Sequence, residues 1–367
     1  MNFFDLEKKK IIAEAQPDTT REPPSFSQVM AARKAIDSYI YETPLIASIS
    51  LSKQTGHHKI LLKCENLQRT GSYHYRGFIY KVIRTKEKDL LVNNFITYSV
   101  ANAGPALACA SEDFQSTARV VIPKNTHPPI KSSIRHYGGE VYNCAPTLES
   151  RNGKLLELLK RFNQSEGNVR NRAVVVDPYN DDDIIAGYAT IGIEMMLQTD
   201  CEVDCIVAPV GGGALINGIA IAVRGMKPNV AVFGAVSDFS SDDNKSLRYG
   251  SIAPAAEGAA SDSSTKTGEP FLVAEGSPVE GQITQRNYEY MKKLVNGVLR
   301  VTEQDIRYAF RYVYERCKLV IDLKAATAVA AVLAKPRELR RFQCVAVVLS
   351  GGNVDLMRVP KIVSSAL

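Results

Sequence analysis

The chain has no apolar run near the roughly 20 residues that a membrane-spanning helix needs, and Asp5, Glu7 and Glu14 interrupt its start where a signal sequence would be apolar. A protein that stays in the cytosol, with no membrane partner, is therefore expected. It also lacks a continuous basic run. A net charge of +6, with lysines and arginines scattered among 39 acidic residues, argues against a nucleic-acid partner, and Lys8-Lys9-Lys10 reads as part of a solvated tail. Metal-site spacing is missing as well. The cysteines (Cys64, Cys109, Cys144, Cys201, Cys205, Cys317 and Cys344) are odd in number and dispersed, and Cys201 and Cys205 have no second pair at zinc-finger distance. No metal is expected, and the apolar neighbours of several cysteines indicate buried thiols in a reducing compartment. There is no internal repeat.

What is present is a chain long enough for one large α/β domain or two smaller ones sharing a cleft, with 45% hydrophobic residues to fill a core. β-branched and apolar runs recur at Ile60–Leu62, Phe95–Tyr98, Val120–Ile122, Val174–Val176, Ile206–Val210, Val232–Val236 and Val345–Leu349. Helical patterns follow at 76–84, 105–111, 155–162, 215–224, 303–317 and 325–334, with Thr302 placed as an N-cap. Strands apolar on both faces and separated by helices predict a parallel sheet covered on two sides. Residues 1–24 read as a loose tail. The stretch from Asp238 to Lys266, rich in Ser, Asp, Ala and Gly, reads as a surface excursion that is either linker or lid.

Two glycine-rich turns close apolar strands. Val210-Gly211-Gly212-Gly213-Ala214 leads from a strand into a helix, where backbone N–H groups and the helix dipole can receive a phosphate; a purely structural tight turn is the other reading. Ser350-Gly351-Gly352-Asn353 follows the last apolar run and is either a plain turn or a site loop. The acidic run Asp177-Pro178-Tyr179-Asn180-Asp181-Asp182-Asp183 reads as a solvated turn and helix N-terminus, which acids suit, rather than as a metal cluster.

The run Lys63-Cys64-Glu65-Asn66-Leu67-Gln68-Arg69-Thr70-Gly71-Ser72 resembles the start of the active-site segment in serine/threonine dehydratases and serine racemases, a branch of the fold-type II pyridoxal-phosphate family, which also includes tryptophan synthase beta-like proteins. In that pattern a lysine stands two residues after the serine and joins the cofactor aldehyde; here the position is His74, and an imidazole has no primary amine. The resemblance spans residues 26–356 and carries further implications. It implies a two-domain fold of parallel twisted sheets with helices on both faces, residues 25–93 and 171–367 forming the large domain and 94–170 the small one. Gly211, Gly212 and Gly213 would cradle the cofactor phosphate, with Ala214 where a fourth glycine is usual, and Ser350 would bond the pyridine nitrogen. Asn102, in Ser99-Val100-Ala101-Asn102-Ala103-Gly104, would reach the ring hydroxyl, while Val100 takes the place of a serine that exchanges protons in racemases.

Two losses in separate motifs imply a catalytically impaired relative that keeps a phosphate- or cofactor-type pocket and has a binding or regulatory role. Pyridoxal phosphate, if bound, would be noncovalent, and the ligand would be an amino acid or a phosphorylated small molecule. His74 is then either a ligand contact in place of the lysine or a packed histidine with no chemical role. Two alternatives stay open: an active ammonia-lyase working without the usual lysine, its cofactor held noncovalently or by a relocated amine such as Lys324, and an inactive subunit that pairs with an active paralogue. The expected assembly is a homodimer or a hetero-oligomer with a paralogue.

Overall fold

The computed structural model describes residues 22–163, 172–200, 202–237, 283–334 and 336–364. The Asp238–Lys266 stretch, Cys201 and most of the N-terminal tail lie outside them. Among the described residues, the strands are β1 (Leu45–Ala47), β2 (Lys59–Lys63), β3 (Val92–Tyr98), β4 (Thr117–Pro123), β5 (Glu140–Cys144), β6 (Arg172–Val175), β7 (Cys205–Pro209), β8 (Ala231–Ser237), β9 (Gly297–Val301) and β10 (Cys344–Val348). The helices are α1 (Phe26–Ile36), α2 (Ile49–Thr55), α3 (His74–Lys88), α4 (Ala103–Glu112), α5 (Pro128–His136), α6 (Leu148–Asn163), α7 (Asp182–Gln198), α8 (Ala214–Met226), α9 (Gln285–Leu294), α10 (Glu303–Tyr312), α11 (Leu323–Leu333) and α12 (Val359–Ser364).

The strands make two sheets, one in the order β1-β2-β10-β7-β8-β9 and one in the order β5-β4-β3-β6. Every pairing is parallel except that of β1 with β2 at the edge of the larger sheet. The strands of the smaller sheet run from Val92 to Val175, slightly past the 94–170 span read from the sequence.

Alternation explains why both faces of the larger sheet are covered. Ile60 and Leu62, Val345 and Val347, and Cys205 and Val207 enter one core with α10 and α11, while Leu61, Ala346, Val348, Ile206 and Ala208 enter the other with α7 and α8. Each fully buried aliphatic side chain contributes about 1.5–3 kcal/mol, so the two-sided burial of these strands fixes their register. The sequence anticipates a helix over 303–317. The α-helix ends at Tyr312 and gives way to a π-turn over Val313–Cys317, with Lys318 left-handed at φ 60°. Its start is as expected: Thr302 and Asp305 form a reciprocal capping box.

Helices α3 and α7 meet backbone to backbone. A Cβ on Gly187 would lie 2.6 Å from both the Arg76 carbonyl oxygen and the Gly77 Cα, so only glycine permits the approach. That approach buries charge. The Arg76 guanidinium, 0% exposed, donates from Nε to Glu65 Oε2 at 2.8 Å, from Nη2 to Glu65 Oε1 at 2.8 Å, and from Nη1 to Glu194 Oε1 at 2.6 Å. Lys63 Nζ, equally buried, donates to Glu194 Oε2 at 2.7 Å, to the Thr43 carbonyl at 2.8 Å and to Gln198 Oε1 at 2.9 Å. Thr43 Oγ1 donates to Glu65 at 2.6 Å, and Arg33 reaches Glu194 from α1. Burial alone would raise the Glu194 carboxyl, but Arg76 and Lys63 hold it below the ordinary carboxylate range. Burial lowers the Lys63 amine, with Glu65 and Glu194 opposing. The network pins the start of α3 to β2 and α7.

No helix among the described residues is long and apolar enough to cross a membrane. The six described cysteines are free thiols, four of them buried; burial pushes Cys64 up to about 12 and Cys109 up to about 11, which leaves both protonated.

Candidate active site

Parallel α/β sheets offer ligand sites outside the carboxyl ends of their strands, and the motifs from the sequence converge there. β10 lies between β2 and β7, with Val347 opposite both Leu62 and Val207, so the segments leaving these strands are neighbours. They are the glycine turn after β7, Ser350 after β10, and the stretch after β2 that ends in His74. Ser72 bridges to Gly351, and the Tyr73 N–H donates to the Ser350 carbonyl at 3.1 Å.

The glycine turn is shaped for an anion. Gly213 sits at φ +90°, a conformation that side chains resist, and a Cβ there would press on Asn287 Cβ at 2.9 Å. Asn287 Nδ2 donates to the Gly212 carbonyl at 2.8 Å and to the Tyr179 carbonyl at 2.8 Å, which fixes the turn from behind. With the carbonyls so engaged, the N–H groups of Gly211, Gly212, Gly213 and Ala214 have no protein partner among the described residues and stand at the start of α8. Ala214 in place of a further glycine is 1% exposed and leaves the turn intact.

His74 opens α3 at 5% exposure, and its Nδ1 finds no partner among the described residues. Its ring lies 4.0 Å from that of Tyr73 and meets Tyr188 edge-on at 6.0 Å. Burial, with the charge of Lys324 adding to it, pushes its pKa down to about 3, so the imidazole is neutral. Ser72, wholly buried, has an unpartnered Oγ. The backbone leading here is strained: Thr70 is left-handed at φ 63° and Gly71 at φ 72°. Asn353 Nδ2 holds the turn by donating to the Thr70 carbonyl at 2.8 Å.

A neutral buried histidine has a pH signature. The unfolded chain takes up this proton near the ordinary value of 6.5 and the folded chain only near 3, so the fold loses stability as pH falls through that window, by at most about 1.4 kcal/mol per pH unit. Glu194, whose carboxyl is depressed, stabilises the fold above the ordinary carboxylate pKa, and that contribution fades only at lower pH. Urea titrations at pH 7 and pH 5 should show the wild type losing about 1–2 kcal/mol and His74→Gln losing much less. Equal slopes would remove the burial argument.

Asn102 and Asp322 come together over the same turn. Asn102 Nδ2 donates to Asp322 Oδ2 at 3.0 Å, and Asn102 Oδ1 accepts from Asn353 Nδ2 at 2.9 Å. Asp322 also caps α11 by accepting from the Ala325 N–H at 2.8 Å. A Cβ on Gly351 would lie 2.7 Å from Asp322 Oδ2, so the clasp presses directly on the Ser350 loop. A cleft of about 240 Å³ opens beside it, lined by Asn102, Pro105, Ile130, Asp322, Lys324 and Asn353 among others. Lys324, exposed in the first turn of α11, presents its chain to this cleft. Across its mouth Arg358 Nη1 donates to His127 Nε2 at 2.7 Å.

Ser350, His74 and Asn102 thus lie around the loops that follow β2 and β10, the glycine turn follows the adjacent strand β7, and Val100 stands beside Tyr98 and Arg151. The acidic run is occupied otherwise: Asp181 caps α7 and pairs with Lys81 at 2.6 Å, and Asp182 pairs with Arg286. Sequence reasoning missed Ser72, Asn287 and the clasp partner Asn353. Asn353 lies inside a motif already singled out, and its amide was the available signal; Asn287 offered none.

The chain belongs to the pyridoxal-phosphate dependent enzymes: the model of that family matches residues 36–351. Within it, the serine racemase of Dictyostelium discoideum is 31% identical over 343 residues, covering 93% of this chain and 98% of the relative. The L-threonine ammonia-lyase of Thermotoga maritima is 31% identical over 345 residues, covering 94% and 79% respectively. The crystal structure of the Dictyostelium racemase superposes with a TM-score of 0.73 at 28% identity, covering 90% of this chain and 99% of that one. The chain is therefore related to serine racemases and threonine ammonia-lyases, with the parallel α/β architecture of their family.

Proposed function

We propose that this protein binds the phosphorylated pyridine cofactor of its family without a covalent bond and turns over amino acids poorly or not at all, serving a binding or regulatory role. One observation carries the reading. The side chain that starts α3 beside Ser350, at the position the family resemblance gives to lysine, is a buried neutral imidazole. It has no primary amine to join the cofactor carbonyl.

The residues fit such a ligand held by hydrogen bonds alone. The unpaired N–H groups of Gly211–Ala214 would take its phosphate, the Ser350 hydroxyl its ring nitrogen, and the Asn102 amide its ring hydroxyl once the clasp with Asp322 yields. Pyridoxal phosphate supplies an electron-withdrawing ring that acidifies the Cα proton of an amino acid. Removing that proton requires a base. His74, neutral, accepts a proton only weakly where burial and the Lys324 charge both oppose the cation, and Val100 has no proton to exchange. The division into a large domain (25–93 with 171–367) and a small one (94–170), with the cleft between, belongs to this proposal, as does pairing with a second copy or a paralogue.

A second reading has one observation in its favour. Lys324 lines the cleft next to Asn102 and its charge is felt at His74, so its amine could replace the missing one in a working ammonia-lyase. Adding pyridoxal phosphate, reducing with borohydride and mapping peptides by mass spectrometry separates the two. The expected result is no cofactor fixed to the chain and background release of oxo acid from serine or threonine. An adduct at Lys324 with brisk oxo-acid release would establish the second reading instead.

A further inference from the structure

We infer that the pocket prefers the alcohol form of the phosphorylated pyridine, with a neutral hydroxymethyl group in place of the aldehyde, and that Ser72 and His74 set this preference. The inference rests on the noncovalent reading above. Ser72 and His74 are two residues apart at the start of α3, 0% and 5% exposed, and Ser72 Oγ and His74 Nδ1 are both without a partner among the described residues. Backbone contacts fix them against the Ser350–Gly351 turn: Ser72 bridges to Gly351 and the Tyr73 N–H donates to the Ser350 carbonyl. Both residues are buried and both atoms lack a partner, which leaves hydrogen-bonding capacity for a ligand group.

The chemistry of that group follows from what the two residues offer. An aldehyde is useful where an amine can add to it; here its oxygen can only accept, so it leaves His74 Nδ1 unmet in the tautomer in which that nitrogen is itself an acceptor. A primary alcohol both donates and accepts, so it satisfies His74 Nδ1 in either tautomer of the imidazole while also pairing with the Ser72 hydroxyl. An aminomethyl group, cationic at neutral pH, would sit near the Lys324 ammonium, which lines the neighbouring cleft with Asp322. The phosphate end is common to all three forms and is received by the glycine turn. Selectivity therefore lies at the substituent beside the phosphate arm and not at the phosphate itself.

Calorimetric titration of the purified chain with pyridoxine 5′-phosphate, pyridoxal 5′-phosphate and pyridoxamine 5′-phosphate, with inorganic phosphate as competitor, tests this. The alcohol should bind about five- to ten-fold more tightly than the aldehyde, the worth of one added neutral hydrogen bond. His74→Ala and Ser72→Ala should bring that ratio toward one while phosphate still competes. If either variant fails to fold, the wild-type ratio decides alone. Reversible binding with the aldehyde equal or tighter, or a ratio unchanged in both variants, overturns the selectivity and leaves the noncovalent reading standing. Fixation of the aldehyde by borohydride overturns the noncovalent reading, and binding of none of the three overturns both.

Discussion

His74→Lys should turn a reversible binder into one that retains pyridoxal phosphate covalently, from none fixed per chain to one, with the yellow absorbance of a lysine-bound cofactor. The environment favours the change. Burial first, and then the charge of Lys324, disfavour a cation at this position, as the depressed pKa of His74 records. The same two influences would lower the pKa of an introduced amine and leave it unprotonated and nucleophilic. The glycine turn, Ser350 and Asn102 need not move. Borohydride reduction followed by intact-mass measurement reads the outcome directly. Should the variant bind phosphate yet fix no cofactor, the position would not be the one that the family uses for its tether.

Arg76→Ala should cost about 3–5 kcal/mol of stability, the range for breaking a buried charge network by removing one partner. The loss is large because the two carboxylates do not leave with the guanidinium. Glu65, 0% exposed, would keep only the Thr43 hydroxyl, and Glu194, 1% exposed, would keep Lys63 and Arg33. Native domains have only about 5–15 kcal/mol in total, so the variant should unfold at far lower urea. Thr43→Val gives a milder measurement, leaving one Glu65 oxygen short of a donor at about 1–3 kcal/mol. A loss below about 1 kcal/mol in Arg76→Ala would mean that the pocket relaxes or admits water.

Much of this fold could be read from residue pattern because the larger sheet is buried on both faces. Ile60–Leu62, Ile206–Val210 and Val345–Leu349 are continuous apolar runs, and each became a strand within a residue or two of the expected bounds. β1, β5 and β9 went unseen for a physical reason: they lie at or next to sheet edges or expose alternate residues, so their composition resembles loop. The glycine turn, Ser350 and Asn102 were legible because turn chemistry is local. The contacts that decide how Asn102 is held were not, since Asp322 and Asn353 lie 220 and 251 residues away in sequence. Glu194 gave a faint signal as a lone charge within an apolar stretch, whereas Lys63, with Lys59 and Glu65 close by in sequence, gave none. Their meeting on Arg76 became visible only when α3 and α7 were brought together through Gly77 and Gly187.

On a single helical turn, anchorage and reactivity are assigned to different residues. Arg76 holds α3 in place through carboxylates on two other elements, whereas the ring of His74 has contacts to Tyr73 and Tyr188 but no hydrogen bond at Nδ1. Mutational drift at position 74 therefore leaves the framework standing.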